Sequence, residues 1–205
     1  MAELTAAPAS PLERHRGRPR NEDCDRAIVA AVLELLVEDG FGKLTMEGVA
    51  SRAGVGKATV YRRWDTKEAL VVHAVHARCV DDAEPPSTGS ARGDVLEMLR
   101  QFLSRAQRHG KVMQAFAAEQ GRYPELAETF RTTFLAGKRA ATREIVQRGV
   151  VSGELPSDTD IELLGDVGAA ILWHRLTVTG EPLDDDLPER IVSQFFPVRV
   201  ASSER

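Results

Sequence analysis

Within seven residues the chain places Lys57, Thr59, Tyr61, Arg62 and Arg63. Cationic and hydroxyl side chains of this kind donate to phosphate oxygens and base edges. Gly56 and Ala58 beside them keep the surface low, so a second macromolecule can come close. Upstream stand four arginines, Arg14, Arg16, Arg18 and Arg20, with no acid between them. In Arg16-Gly17-Arg18-Pro19-Arg20 the glycine and proline favour a thin, extended segment. Such a segment suits the narrow, electronegative minor groove of A·T-rich DNA. The other reading of it is a basic tail with only nonspecific attraction.

These groups need elements to hold them. Ala27, Ile28, Ala31, Val32, Leu35 and Leu36 recur at steps of three and four, which predicts a helix over 21–39 with one apolar stripe. Gly40 stands where a left-handed helix end is expected. Thr45 is placed to cap a short helix with Met46, Val49, Ala50 and Ala53 inward. Gly54 breaks that helix. Val55 and Val60 anchor the next, which ends near Trp64 and turns Lys57, Thr59, Tyr61 and Arg62 outward or to its flanks. Two short helices joined at a glycine, the second one cationic, form the layout of a helix-turn-helix, whose second helix enters the DNA major groove. Thr66 is the expected N-cap of a fourth helix carrying Leu70, Val71, Ala74 and Val75. Lys67 adds charge at that helix start, where free N–H groups attract phosphate.

Residues 83–91, rich in proline and small polar residues, are the clearest break in the chain. Beyond them apolar periodicity predicts helices over 92–109, 111–120, 124–148, 158–179 and 188–196. No strand pattern and no internal repeat is present, so the expected class is all-α.

Composition narrows the function. Residues 14–67 hold 11 Lys and Arg against 8 Asp and Glu, a net of +3, so the remainder must carry −7 to reach the whole chain's −4. A basic head on an acidic body predicts DNA contact through the head alone. No window approaches 18 continuous apolar residues, and residues 1–11 lack the apolar core of a secretory signal. Cys24 and Cys79 make neither a disulfide framework nor a zinc spacing, which points to a reducing cytoplasm. Five histidines include no His-Glu-x-x-His, and there is no phosphate-binding glycine loop and no nucleophile elbow. Neither a catalytic residue, a metal site nor a cofactor is therefore expected.

The run Gly40-Phe41, Leu44-Thr45, Val49-Ala50, Ala53-Gly54-Val55-Gly56-Lys57-Ala58-Thr59-Val60-Tyr61-Arg62-Arg63-Trp64 and Lys67-Glu68-Ala69-Leu70 resembles the DNA-binding domain of the TetR family of transcriptional repressors. The match covers about residues 21–75. It departs from the family at Trp64, where phenylalanine is commoner, and at Gly56, where a polar residue is frequent. Later residues resemble the family's ligand-binding and dimerisation domain more loosely, through Gly153-Glu154-Leu155-Pro156 and Thr177-Val178-Thr179-Gly180-Glu181-Pro182-Leu183. The resemblance implies an all-α chain in three parts: a flexible basic arm (1–20), a three-helix DNA-binding domain (21–66) and a helical effector-binding and dimerisation domain (67–200). It implies that Thr45 caps the second helix near a phosphate. Lys57, Thr59 and Tyr61, with Arg62 beside them, face the operator, and Lys67 holds the DNA backbone. Arg16, Arg18 and Arg20 complete the expected DNA-binding set.

Two further expectations concern the body. Phe102, Met113, Phe116, Phe130, Phe134 and Trp173 could line an apolar pocket for an unknown small-molecule effector, with His174 among its polar groups. His109, Gln114, Tyr123 and Arg143 are other polar candidates. Each aromatic taken singly also suits plain core. A homodimer seam is expected at Leu164, Gly168, Ile171 and Leu172 with Ile191 and Phe195, where small residues admit close helix approach. One short helix reads too few base pairs alone, so a dimer on a palindromic operator is expected. The sequence therefore reads as a homodimeric DNA-binding regulator, a repressor released by a small molecule. The alternatives are an activator, a regulator without an effector, or an enzyme or carrier that keeps a helix-turn-helix for packing.

Overall fold

The computed structural model describes residues 19–79 and 85–196. Helices α1 (Pro19–Lys43), α2 (Met46–Arg52), α3 (Lys57–Tyr61) and α4 (Lys67–Cys79) come first. They are followed by α5 (Ala91–Gln120), α6 (Pro124–Phe130), α7 (Ala136–Val151), α8 (Ile161–His174) and α9 (Leu187–Phe195). No strand occurs among the described residues.

Local chemistry sets the boundaries of the head. Ile28, Val32 and Leu36 bury the inner face of α1. Gly40, at φ 78° and ψ 167°, leaves helical geometry in a region closed to L side chains. A Cβ there would also lie 2.9 Å from Glu119 Oε1, so glycine lets the end of α1 meet α5. Thr45 Oγ1 accepts from Gly48 N at 3.0 Å and caps α2. Gly54, at φ +67°, makes the turn between α2 and α3. α3 has no side-chain cap and is held by Val60, which is fully buried. Thr66 Oγ1 accepts from Ala69 N at 3.1 Å and starts α4.

The body differs from its sequence pattern in two places. Residues 92–109 and 111–120 form two helical arms, as expected; they run on as one element, α5, and are divided at His109, where the backbone leaves helical geometry (φ −128°, ψ 18°). Gly110 follows the break. A Cβ there would lie 3.2 Å from Leu176 Cδ1, so the bend wraps a neighbouring segment. The expected helix over 124–148 is interrupted by a wide π turn, Arg131–Leu135. The helix over 158–179 starts later, at Ile161, and ends in a second π turn, Arg175–Thr179. Threonines bond back to helix carbonyls at both. Thr133 Oγ1 donates to Thr129 O at 2.6 Å and Thr132 Oγ1 to Glu128 O at 2.9 Å, while Thr177 Oγ1 donates to Trp173 O at 2.8 Å. Such back-bonding competes for helix carbonyls and bends helices.

Two apolar cores result. One joins α1–α4 to the C-terminal part of α5 and to α6, through Leu36, Phe41, Leu70, Phe116 and Leu126. The other joins the N-terminal part of α5 to α7, α8 and α9, through Leu99, Ile145, Leu172 and Val192. Phe102 and Leu183 pack against both. Asp94 supports the second core: 3% exposed, it accepts from Thr88 N (2.6 Å), Thr88 Oγ1 (2.8 Å) and Arg148 Nη2 (2.8 Å). Arg92 closes the end of α9, donating to Val192 O at 2.9 Å and to Phe196 O.

Candidate nucleic-acid interface and adjoining cavity

The α2–α3 pair presents one polar face. Lys57, Ala58, Tyr61 and Arg62 are exposed on α3, Thr59 is half-buried, and Thr45 is exposed at the start of α2. This brings together the expected groups of both helices. Arg16 and Arg18 lie outside the described residues, and so does the side chain of Arg20.

Three of the polar side chains are fixed by partners. Tyr61, 46% exposed, donates its hydroxyl to Glu47 Oε1 at 3.0 Å. Glu47's own backbone N–H and then this hydroxyl hold its carboxyl below the usual range, and the bond raises the Tyr61 phenol above its own. Tyr61 therefore reaches a ligand only from the rim of a carboxylate. Arg52 spans α2 to α1 by bonding Glu38 Oε2 at 2.9 Å and Glu34 Oε2 at 3.3 Å, and the first bond lowers the Glu38 carboxyl. Arg63 turns inward, to Asp25 Oδ1 at 2.6 Å and Cys24 Sγ at 3.3 Å, and locks the end of α3 against α1.

Lys67 is also turned inward. Its Nζ donates to Phe41 O at 3.1 Å and Leu44 O at 3.4 Å, and lies 4.2 Å from the centre of the Phe41 ring. The Phe41 ring meets Tyr123 edge-on at 4.8 Å. Lys67 thus pins the α1–α2 link to α4 at the place where the head touches the α5–α6 corner. This role needs partners far apart in sequence, and no local pattern announces it.

His73 and His76, one turn apart on α4, serve two different contacts. The His73 ring lies 5.2 Å from Trp64 and the His76 ring 5.2 Å from Phe134. One face of α4 therefore reads the end of α3, and the next turn reads the π turn of the body. No group of three or more His, Cys, Asp or Glu side chains able to hold a metal ion occurs among the described residues.

Beyond α4 lies a cavity of about 500 Å³, walled by α4, α5, α6, α7 and α8. Phe102, Met113, Phe116, Phe130, Phe134 and Trp173 all line it, as the sequence led us to expect. His174 does not. It is exposed on the opposite side of α8, because Trp173 points in and the next residue is rotated by about 100°. His109, Gln114, Tyr123 and Arg143 are also absent from the wall. The polar lining comes instead from Arg105, Gln120, Lys138, Arg139, Thr142 and Asp166. Val75 and Cys79 bring α4 itself into the wall. Burial pushes the Cys79 thiol up to about 11, so it lines the cavity as a protonated, apolar group.

The expected seam residues divide. Gly168, Leu172 and Ile191 are buried inside the protomer, and a Cβ on Gly168 would lie 2.8 Å from Leu99 Cδ2. Their small size and apolar character serve the contact of α8 and α9 with α5. Leu164 and Ile171 are half-buried against the same core, and Phe195 is 40% exposed. The outward stripe of α8 is a different set: Leu163 (65% exposed), Val167 and, past the π turn, Val178 (71%).

Residues 28–74 match the family model "Bacterial regulatory proteins, tetR family", and residues 85–195 match "Tetracyclin repressor-like, C-terminal domain". The chain is 32% identical over 188 residues to the uncharacterised HTH-type transcriptional regulator YdeS of Bacillus subtilis, which covers 90% of this chain and 94% of YdeS. It is 30% identical over 188 residues to the DNA-binding transcriptional repressor TetR of Mycobacteroides abscessus, covering 91% and 98% of the two chains. The crystal structure of the TetR family regulator SCO0332 superposes with a TM-score of 0.63 at 30% identity, over 85% of this chain and 97% of that one.

Proposed function

This chain belongs to the TetR family of helix-turn-helix transcriptional regulators, and on that premise we propose that it is a cytoplasmic repressor, released from a palindromic operator when a small molecule occupies the cavity behind α4. It acts as a sequence-specific DNA-binding regulator. Lys57, Thr59 and Arg62 enter the major groove on α3. Thr45 approaches a phosphate from the start of α2, and Arg16, Arg18 and Arg20 follow the adjacent minor groove. Two heads of a homodimer read half-sites one helical turn apart, about 34–36 Å. The surface offered to the second copy is the outward stripe of α8 with Phe195.

The observation that carries this reading is the double duty of α4. Its Val75 and Cys79 form cavity wall, while Lys67 at its start holds the carbonyls of Phe41 and Leu44 beside the DNA head. Any occupant that shifts α4 changes the separation of the two heads, and only one separation fits the operator. Selection of bound sequences from random duplex DNA tests the core of it. A palindrome with A·T-rich flanks is expected. Lys57→Ala should lose about 1–3 kcal/mol of binding if the lysine touches a base, without unfolding. Removing residues 1–18 should flatten the salt dependence and the flank preference together. Recovery of no preferred sequence, or full affinity in Lys57→Ala, would sink the assignment.

A further inference from the structure

We infer that the cavity is built for an elongated, electrically neutral apolar molecule carrying one hydrogen-bond acceptor, which Gln120 takes. This deepens the effector reading above and rests on it.

Shape comes first. The lining residues of α5 run from Val95 to Gln120. They lie on both arms of the helix, either side of the break at His109. A volume of about 500 Å³ spread along both arms favours a chain over a compact ring system. Its walls are aliphatic and aromatic. Phe116, Phe130 and Phe134 make a ladder of rings 5.1 and 5.0 Å apart leading towards Gln120.

Polarity comes second. Gln120 lines this channel; its Nε2 is buried in the wall with no hydrogen-bond partner among the described residues, and meets an occupant once the side-chain amide turns into the channel. An amide N–H held away from water without an acceptor costs free energy, and such groups mark places where a ligand completes the bonding. The charged lining groups have partners. Arg139 is bonded to Asp166 at 2.7 Å, and Arg105 and Lys138 each have partners of their own. An acceptor at Gln120 therefore meets a neutral donor in apolar surroundings, which favours a carbonyl oxygen over a carboxylate, because burying an unpaired charge is far costlier.

Four ten-carbon probes separate these features: 2-decanone, decane, 2-adamantanone and decanoate. Binding is read on the full-length dimer without DNA, by displacement of the neutral reporter N-phenyl-1-naphthylamine. Operator binding measured separately leaves the DNA-binding reading to stand or fall alone. We expect 2-decanone to bind about threefold to tenfold more tightly than decane, the net worth of one neutral hydrogen bond. It should also bind more tightly than the compact 2-adamantanone. Gln120→Leu should erase the ketone's advantage and leave decane unchanged. Gln120→Met, closer in length and without a donor, should do the same if the leucine variant folds poorly. The proposal is overturned by equal binding of ketone and alkane, by retention of the preference in both variants, or by tighter binding of 2-adamantanone. Decanoate binding tenfold more tightly than 2-decanone, with the gain lost in Lys138→Met, would assign an anionic ligand instead. Failure of all four probes to bind, read by displacement or, where the reporter is excluded, by the rise in Tm with ligand, would also overturn it.

Discussion

Replacing Lys67 with methionine separates two roles for this residue. Methionine keeps an unbranched apolar stem of similar length and removes only the ammonium. That head makes one good hydrogen bond, to Phe41 O at 3.1 Å, one long one, to Leu44 O at 3.4 Å, and sits 4.2 Å above the Phe41 ring. A hydrogen bond to a charged donor is worth about 1.5–3 kcal/mol and a partly desolvated cation–π contact about 0.5–2 kcal/mol. Lys67 is only half-buried, and the freed carbonyls regain some water, so the loss should be about 2 kcal/mol. In a chain of this size that lowers Tm by roughly 4–8 °C. Thermal unfolding followed by circular dichroism measures it, and operator affinity across a salt series supplies the second readout. If Lys67 acts by fixing the α1–α2 link, Tm falls and the salt slope barely changes. An unchanged Tm with a salt slope shallower by about one would mean that Lys67 is a phosphate contact and that the inward geometry carries no weight.

Two further perturbations probe the outer surfaces. Leu163→Glu places a charge on the exposed stripe of α8 and should shift the dimer towards monomer in sedimentation with Tm of the protomer unaltered, whereas Gly168→Glu drives its side chain into Leu99 and should cost at least 1–3 kcal/mol of stability, visible in urea unfolding; a stable, monomeric Gly168→Glu variant would reverse this assignment. Glu47→Gln removes a carboxylate beside the exposed hydroxyl of Tyr61 and should tighten DNA binding, with the largest gain at low salt in a fluorescence anisotropy titration; weaker binding would show that Glu47 orients Tyr61 rather than repels phosphate.

Much of the head was legible from single residues. Thr45, Gly40 and Gly54 each impose a local geometry that the backbone then adopts, and Val60 fixes which side of α3 faces out. The aromatic lining of the cavity was legible too, because large apolar residues at helical spacing must face inward. What escaped depends on partners distant in sequence. Arg63 and Lys67 read as free cations until Asp25 and the carbonyls of Phe41 and Leu44 are brought beside them. α8 is apolar on both sides, so periodicity alone cannot say whether the Gly168–Leu172 face or the Leu163–Val167 face looks outward. Beside the bend at His109, Gly110 leaves room for Leu176, a residue distant in sequence, and Gln120 has no local signature as a cavity group.

The two apolar cores meet along α5, and the cavity lies on their boundary: Phe116 and Met113 belong to one, Leu99 and Val95 to the other. Segments with separate cores open as separate cooperative units, each with its own free energy of amide exchange. An occupant stretched from Phe116 to Leu99 gains contacts with both units and loses part of them when either one opens. Its binding energy is thereby added to the opening free energy of each unit. The predicted signature is in the exchange rates. Amides of α4 and α9, on opposite sides of the boundary, should exchange at unrelated rates in free protein and slow together as the ligand is titrated in, so that a molecule touching only the middle of the chain makes its two ends melt as one.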